Sequence, residues 1–274
     1  MISQAKRIAD LTNDFERKNR QKDIPIFSFS SGKGGTGKSF LILNIAVKLA
    51  ELGNKVLLVD ADFNFANLNT MLNINPKKNL SDYFLGKEKF ENIIYSVIKN
   101  LDLISGISGL ESRISEIDIN RMFLELQRIN NEYDIILIDN SSGASNFTVA
   151  VLKNSTYNII VLNTDPTSVM DSYVILKILK QINYLNDRLI IVNKSLSTED
   201  GEIGFENLKR ASLHFLKFPI KLMGVVNFSK DAMQSVKNQK PLFGENHSKS
   251  ILDEFKIICN EISVYMQVDN NRQI

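Results

Sequence analysis

The chain of 274 residues has one cysteine, Cys259, and that scarcity excludes several chemistries at once. A single thiol cannot build an internal disulfide framework, supply a CxxC metal or redox pair, or carry an iron–sulfur cluster on several cysteines of one chain. Set in the run FKIICNEIS, Cys259 reads as a small apolar residue in a helix core. The two histidines, His214 and His247, lie in different segments without metal-ligand spacing and read as structural or surface residues. Net charge is nearly absent as well: 33 Lys and Arg against 31 Asp and Glu leave +2, which makes specific nucleic acid an unlikely main partner. No run of about 18 or more apolar residues occurs, so no transmembrane helix is expected. The opening stretch MISQAKRIADLTNDFERKNRQKD is charged throughout and lacks an apolar h-region, so it does not read as a secretory signal, and the expected location is cytoplasmic. Internal repeats and Pro/Gly/Ser-rich linkers are also lacking, which favours one large domain over two.

What is present is alternation. The runs IPIFSFS, KVLLVDAD, LDLIS, YDIILID, YNIIVLNT, RLIIVNK and IKLMGVV are short and apolar, as buried strands are. Between them SFLILNIAVKLAELG, DINRMFLELQRIN, SVMDSYVILKILKQI and GFENLKRASLHFL have helical length, the first ending at a C-cap glycine, Gly53. Nearly continuous apolar strands separated by helices predict an α/β fold, a mostly parallel twisted sheet with helices on both faces. Three segments are expected. Residues 1–22 form an N-terminal helical segment with Ala5, Ile8, Leu11 and Phe15 at helical spacing, residues 25–266 form the domain, and residues 267–274 form a polar tail. The last helix places Ile251, Phe255, Ile258 and Ile262 on one stripe beside Leu252 and Cys259, which predicts packing on its own domain. Its polar face mixes both signs of charge, so direct membrane binding is expected to be weak or absent.

The chemistry concentrates in Gly32-Lys33-Gly34-Gly35-Thr36-Gly37-Lys38-Ser39, which fits the phosphate-loop pattern G-x-x-x-x-G-K-[ST] between a predicted strand and a predicted helix. Glycines let backbone N–H groups turn inward around phosphates, and the helix dipole points at them. The fold is therefore expected to be a P-loop NTPase, with Lys38 meeting the β- and γ-phosphates and Ser39 binding Mg²⁺. Asp60 and Asp62 end the next strand, near the carboxyl edge where open α/β sheets bind ligands; a helix N-cap is the other reading of Asp60. Asp139 ends YDIILID as a Walker B aspartate would, to hold Mg²⁺. In RLIIVNKSL, an N-K-x-D guanine reader would need aspartate where Leu196 stands, so ATP is expected over GTP. Asn193 can offer its amide to adenine, a turn role at the strand end being the alternative. None of this explains Lys33.

KGGTGKS resembles the deviant Walker A motif of the MinD/ParA ATPases, whose mark is an extra lysine at the place of Lys33. VLLVDADFNFANLNTML, LSDYFLGK, LDLISGISG, NTDPTSVMDSYVILK, IIVNKSLS and GVVNFSKDAMQSVKNQKPLF narrow the resemblance to the FlhG branch (also FleN or YlxH), over roughly residues 25 to 265. The resemblance implies a regulatory ATPase that forms an ATP-dependent homodimer, hydrolyses slowly as a timer, and controls flagellar number or placement. It gives Lys33 a role in trans on the other subunit's phosphates, makes Asp62 the carboxylate that orients the attacking water, and puts Asp60 in the Mg²⁺ shell. It offers the GTPase FlhF or flagellar basal-body proteins as partners, and recruitment to the pole or membrane through a partner. The chain departs from the pattern at Asn64, Asn69, Asn140-Ser141-Ser142 and Asn227, and SQAKRIA matches the FlhF-stimulating element only at Gln4 and Ala5, with Ile8 a conservative change. A ParA-like partitioning ATPase on nucleoid DNA is the alternative and needs a basic surface. A small-molecule kinase gives Lys33 no role.

Overall fold

The computed structural model describes residues 24–106, 108–109, 114–243 and 249–271. The predicted helix at residues 1–22 lies outside them. Eight strands form one sheet: β1 (Ile26–Ser31), β2 (Val56–Ala61), β3 (Ile94–Ile98), β4 (Leu101–Ile104), β5 (Ile135–Ser142), β6 (Tyr157–Leu162), β7 (Arg188–Ser195) and β8 (Lys221–Asn227). Their order is β3-β4-β2-β5-β1-β6-β7-β8, and every neighbouring pair is parallel except β3 with β4. Seven strands fall on the apolar runs read from the sequence. The eighth, β3, lies at the sheet edge with its residues exposed or half-buried, and its run IYSVI was not among those read.

Strand alternation divides the core into two faces. Phe27, Phe29, Leu58, Leu137, Ile159 and Ile191 face α1 (Lys38–Glu51) and the C-terminal helix, α9 (Lys249–Asn271). On the other face Leu57, Val59, Ile136 and Ile138 pack with Ile119, Met122 and Phe123 of α4 (Glu116–Arg128) and Val151 of α5 (Asn146–Asn154). Ile160, Leu162, Ile190 and Val192 pack with Ile175, Leu176 and Leu179 of α6 (Pro166–Gln181) and with Phe205 and Leu208 of α7 (Thr198–Ala211). Each fully buried side chain of this size stabilises the fold by about 1.5–3 kcal/mol. Two short helices, α2 (Leu68–Met71) and α3 (Leu80–Phe84), follow β2.

The stripe read in the last helix is buried as the spacing predicts: Ile251, Phe255, Ile258, Cys259 and Ile262 all lie in the core. Gly224 of β8 makes room for this helix, since a Cβ there would stand 2.7 Å from Ile258. The helix continues five residues past Met266, to Asn271, into the stretch read as polar tail. The helix α8 (Lys230–Asn238) was not among the predicted ones. Among the described residues, no helix is long and apolar enough to cross a membrane.

Burial pushes the Cys259 thiol up to about 12. Thiolate, the reactive form, is then negligible at neutral pH. Iodoacetamide at pH 7.5 should leave Cys259 unmodified in the native chain and label it on unfolding. Rapid native labelling, followed by mass spectrometry, would contradict this packing.

Candidate nucleotide site

The chain leaves β1 and enters α1 through a turn that only glycine accepts comfortably. Gly35 and Gly37 sit at φ +81° and +87°, the left-handed region that penalises a Cβ. Gly37 is the N-cap of α1 and has no side chain to cap it, so the first turn's amides stay open. Two close approaches hold this turn. A Cβ on Gly32 would collide with the backbone of Asp171 in α6, and one on Gly37 with the Asn193 amide. Among the described residues, the amides of Gly35, Thr36 and Gly37 donate to no protein acceptor, although Thr36 is 1% exposed. Unsatisfied N–H groups beside a helix N-terminus are the makings of an anion cradle.

Lys38 stands behind the cradle, buried, with its ammonium on Asp139 Oδ1 and 3.6 Å from Asp62 Oδ2. Burial alone would lower its pKa, but Asp139, Asp62 and Asp60 outweigh that and raise it. The carboxylates meet because β2 and β5 are neighbours, with Asp60 and Asp139 paired in register. Asp60 accepts from the amides of Asp62, Asn67 and Leu68, each at 3.2 Å, so both its oxygens are spent on shaping the loop after β2. Burial, then the charge of Asp139, pushes its pKa up to about 8. Asp62 Oδ1 accepts from Asn64 N at 3.2 Å, Phe65 N at 3.1 Å and Ser141 Oγ at 3.3 Å.

The donor set fits Mg²⁺ in one way. Among the described residues no group of three or more His, Cys, Asp and Glu could hold a metal by itself. Ser39 lies beside Asp139, whose Oδ2 is buried and has no hydrogen-bond partner. One hydroxyl and one free carboxylate oxygen suit a cation that keeps waters and takes its remaining ligands from phosphates. Asp60 accepts backbone amides on both oxygens, which suits a supporting place in a Mg²⁺ shell through water.

Lys33 does not reach the cradle. Its ammonium lies 2.7 Å from Asp165 Oδ1 and 2.8 Å from Thr167 Oγ1, at the start of α6. Asp165 is also the N-cap of that helix, accepting from Ser168 N at 2.9 Å. The spacing around Lys33 could not reveal this partner, which lies 132 residues away.

A cavity of about 650 Å³ opens from residues 34–39 of the loop, past Asp62 and Asn193, toward α8. Its far wall is apolar: Phe40, Met71, Phe228, Met233 and Val236. Asn193 lies at its edge, but its amide nitrogen donates to Thr36 O at 2.7 Å, which commits the donor expected for adenine to the loop. Asn227 is likewise engaged, its backbone and side-chain N–H groups donating to Glu254 at 3.0 and 2.7 Å. Leu196 is 88% exposed and does not line the cavity. The apolar wall escaped the sequence reading because α8 buries only Ser235 and turns Met233 and Val236 outward, as no core helix does.

A family model described as an AAA domain matches residues 24–197. The antiactivator FleN of Pseudomonas aeruginosa is 23% identical over 251 residues, 91% of this chain and 90% of FleN. The flagellum site-determining protein YlxH of Helicobacter pylori is 30% identical over 251 residues, 88% of this chain and 84% of YlxH. The solved structure of the septum site-determining protein MinD complexed with Mg-ADP, from Pyrococcus horikoshii, matches with a TM-score of 0.76 and 23% identity. That match spans 90% of this chain and 98% of the other, and at this identity it is a likeness of fold.

The hydrogen bond from Lys33, followed by that from Thr167, holds the Asp165 carboxyl down to about 2. A depressed carboxyl adds stability above its ordinary value of about 3.9 and loses it as pH falls through the folded value. The contact therefore persists throughout the neutral range. Carboxyl titration by NMR should give Asp165 a midpoint near 2, and Lys33→Ala should raise it toward the ordinary range. An ordinary midpoint in the parent chain would show that Lys33 rests elsewhere.

Proposed function

The chain belongs to the MinD/ParA family of P-loop ATPases, close to its FlhG (FleN and YlxH) members, and from that premise we propose that it is an ATP-driven dimerising switch that regulates flagellar number or placement. The observation that carries the dimer is the position of Lys33. A lysine inside a phosphate loop that leaves its own cradle and rests on Asp165 and Thr167 is available to a second copy's phosphates, as an arginine finger is.

Each part of the cavity then has a task. The open amides of Gly35 to Gly37 and the dipole of α1 bind the polyphosphate. Lys38 turns from Asp139 and Asp62 toward the β- and γ-phosphates, where its charge is better matched. Ser39 and the free oxygen of Asp139 would hold Mg²⁺, which would neutralise phosphate charge. Asp62, relieved of Lys38, keeps Oδ1 on the Asn64 and Phe65 amides and presents Oδ2 to orient water. The apolar wall of Phe228, Met233 and Val236 suits an adenine ring. Residues 25–266 are the ATPase domain, and residues 1–22 are the element offered to a partner such as FlhF. The stripe of α9 is buried on its own domain, which supports partner-mediated recruitment to the pole or membrane. The partitioning alternative has less support from a net charge of +2.

Three substitutions test the switch. Lys38→Ala should weaken ATP binding by more than about a hundredfold. Lys33→Ala should keep most of the monomer's ATP affinity but lose ATP-dependent dimerisation and turnover. Asp62→Ala should do the reverse and accumulate an ATP-bound dimer. Light scattering with Mg²⁺-ATP separates the last two; normal dimerisation of Lys33→Ala would remove the role in trans.

A further inference from the structure

The backbone of Lys194 is the least comfortable of β7. It sits at φ +57°, the left-handed region disfavoured for any residue with a Cβ. It also falls where the β7–β8 register shifts, between Asn193 and Ser195. In a regular strand Asn193 and Lys194 would point to opposite faces. A bulge re-aims one side chain, and here both residues reach the phosphate loop. Asn193 Nδ2 donates to Thr36 O and Lys194 Nζ to Gly35 O, both at 2.7 Å. Asn163, in the amide orientation that satisfies both its ends, adds a donor to Thr36 O at 3.2 Å.

We propose that Lys194 is a positioning residue of the phosphate loop: by holding the Gly35 carbonyl on the loop's outer side, it turns the Thr36 N–H into the anion cradle. The reason is the planar trans peptide, in which C=O and N–H point in opposite directions. Fixing the Gly35 carbonyl fixes the Thr36 amide, and fixing the Thr36 carbonyl through Asn193 fixes the Gly37 amide. These two amides are among those without a protein acceptor. Flanked by left-handed glycines, the loop has little of its own to hold these peptides. Strain at Lys194 is thus exchanged for order in the loop, the usual place for such strain being a binding site.

The inference rests on the nucleotide reading above, and the test keeps the two apart. The full chain is compared as parent, Lys194→Met and Lys194→Arg. NMR titration with Mg²⁺-ADP and with adenosine measures affinity, and ¹⁵N relaxation of the empty chain measures order at Gly35 and Thr36. Lys194→Met should lower ADP affinity about fivefold while leaving adenosine unchanged, and should loosen both amides; Lys194→Arg should restore most of both. An unchanged ADP-to-adenosine ratio overturns the proposal. Weaker ADP binding with the loop amides as ordered as in the parent also overturns it, by making Lys194 a direct phosphate contact. If the parent binds neither ADP nor adenosine, the nucleotide reading fails, and relaxation in the empty chain still decides the role of Lys194.

Discussion

One buried charge organises this molecule. The Lys38 ammonium sits 5% exposed among Asp139, Asp62 and Asp60, and the penalty for removing it from water is offset only while those carboxylates stay in place. They arrive from the ends of β2 and β5, and Lys38 from the first turn of α1 after β1, so the pairing ties three segments of the sheet's carboxyl edge together. Three carboxylates around one lysine leave the site short of positive charge even with Asp60 pushed up to about 8. A polyphosphate adds more negative charge. A divalent cation and a further lysine would each supply positive charge that the cradle lacks.

Much of this was legible because buried parallel strands write themselves as continuous apolar runs. The strands β1, β2, β4, β5, β6 and β7 could be read in that way, the edge strand β8 was read from its apolar residues although it buries only Met223 and Val226, and the phosphate loop could be read from the spacing of Gly32, Gly37, Lys38 and Ser39. Illegible features share a physical cause, which is that they depend on contacts distant in sequence or on local irregularity. The edge strand β3 has no buried run, and α8 turns its apolar residues toward a cavity instead of a core. The partner of Lys33 belongs to the cap of α6, 132 residues on. For Asn193, either an adenine contact or a turn role could be read, and its bond to a loop carbonyl 157 residues away could not. Lys194 required a register shift that no periodicity announces.

The two lysines of the loop differ in how firmly they are held, and that difference suits a switch. Lys38 is buried in a pair whose disruption without replacement leaves uncompensated charges, so only a ligand of matching charge can draw it away. Lys33 and Asp165 are 32% and 43% exposed, and an ion pair so open to solvent contributes about 0–1 kcal/mol. Its release does not cost α6 its cap, because Asp165 still accepts from Ser168 N and Pro166 still begins the helix. Nor does release loosen the loop from that helix, since Gly32 packs directly against the backbone of Asp171. The signature lysine can therefore exchange a weak partner in its own chain for a stronger anion elsewhere while the scaffold beneath it stays folded.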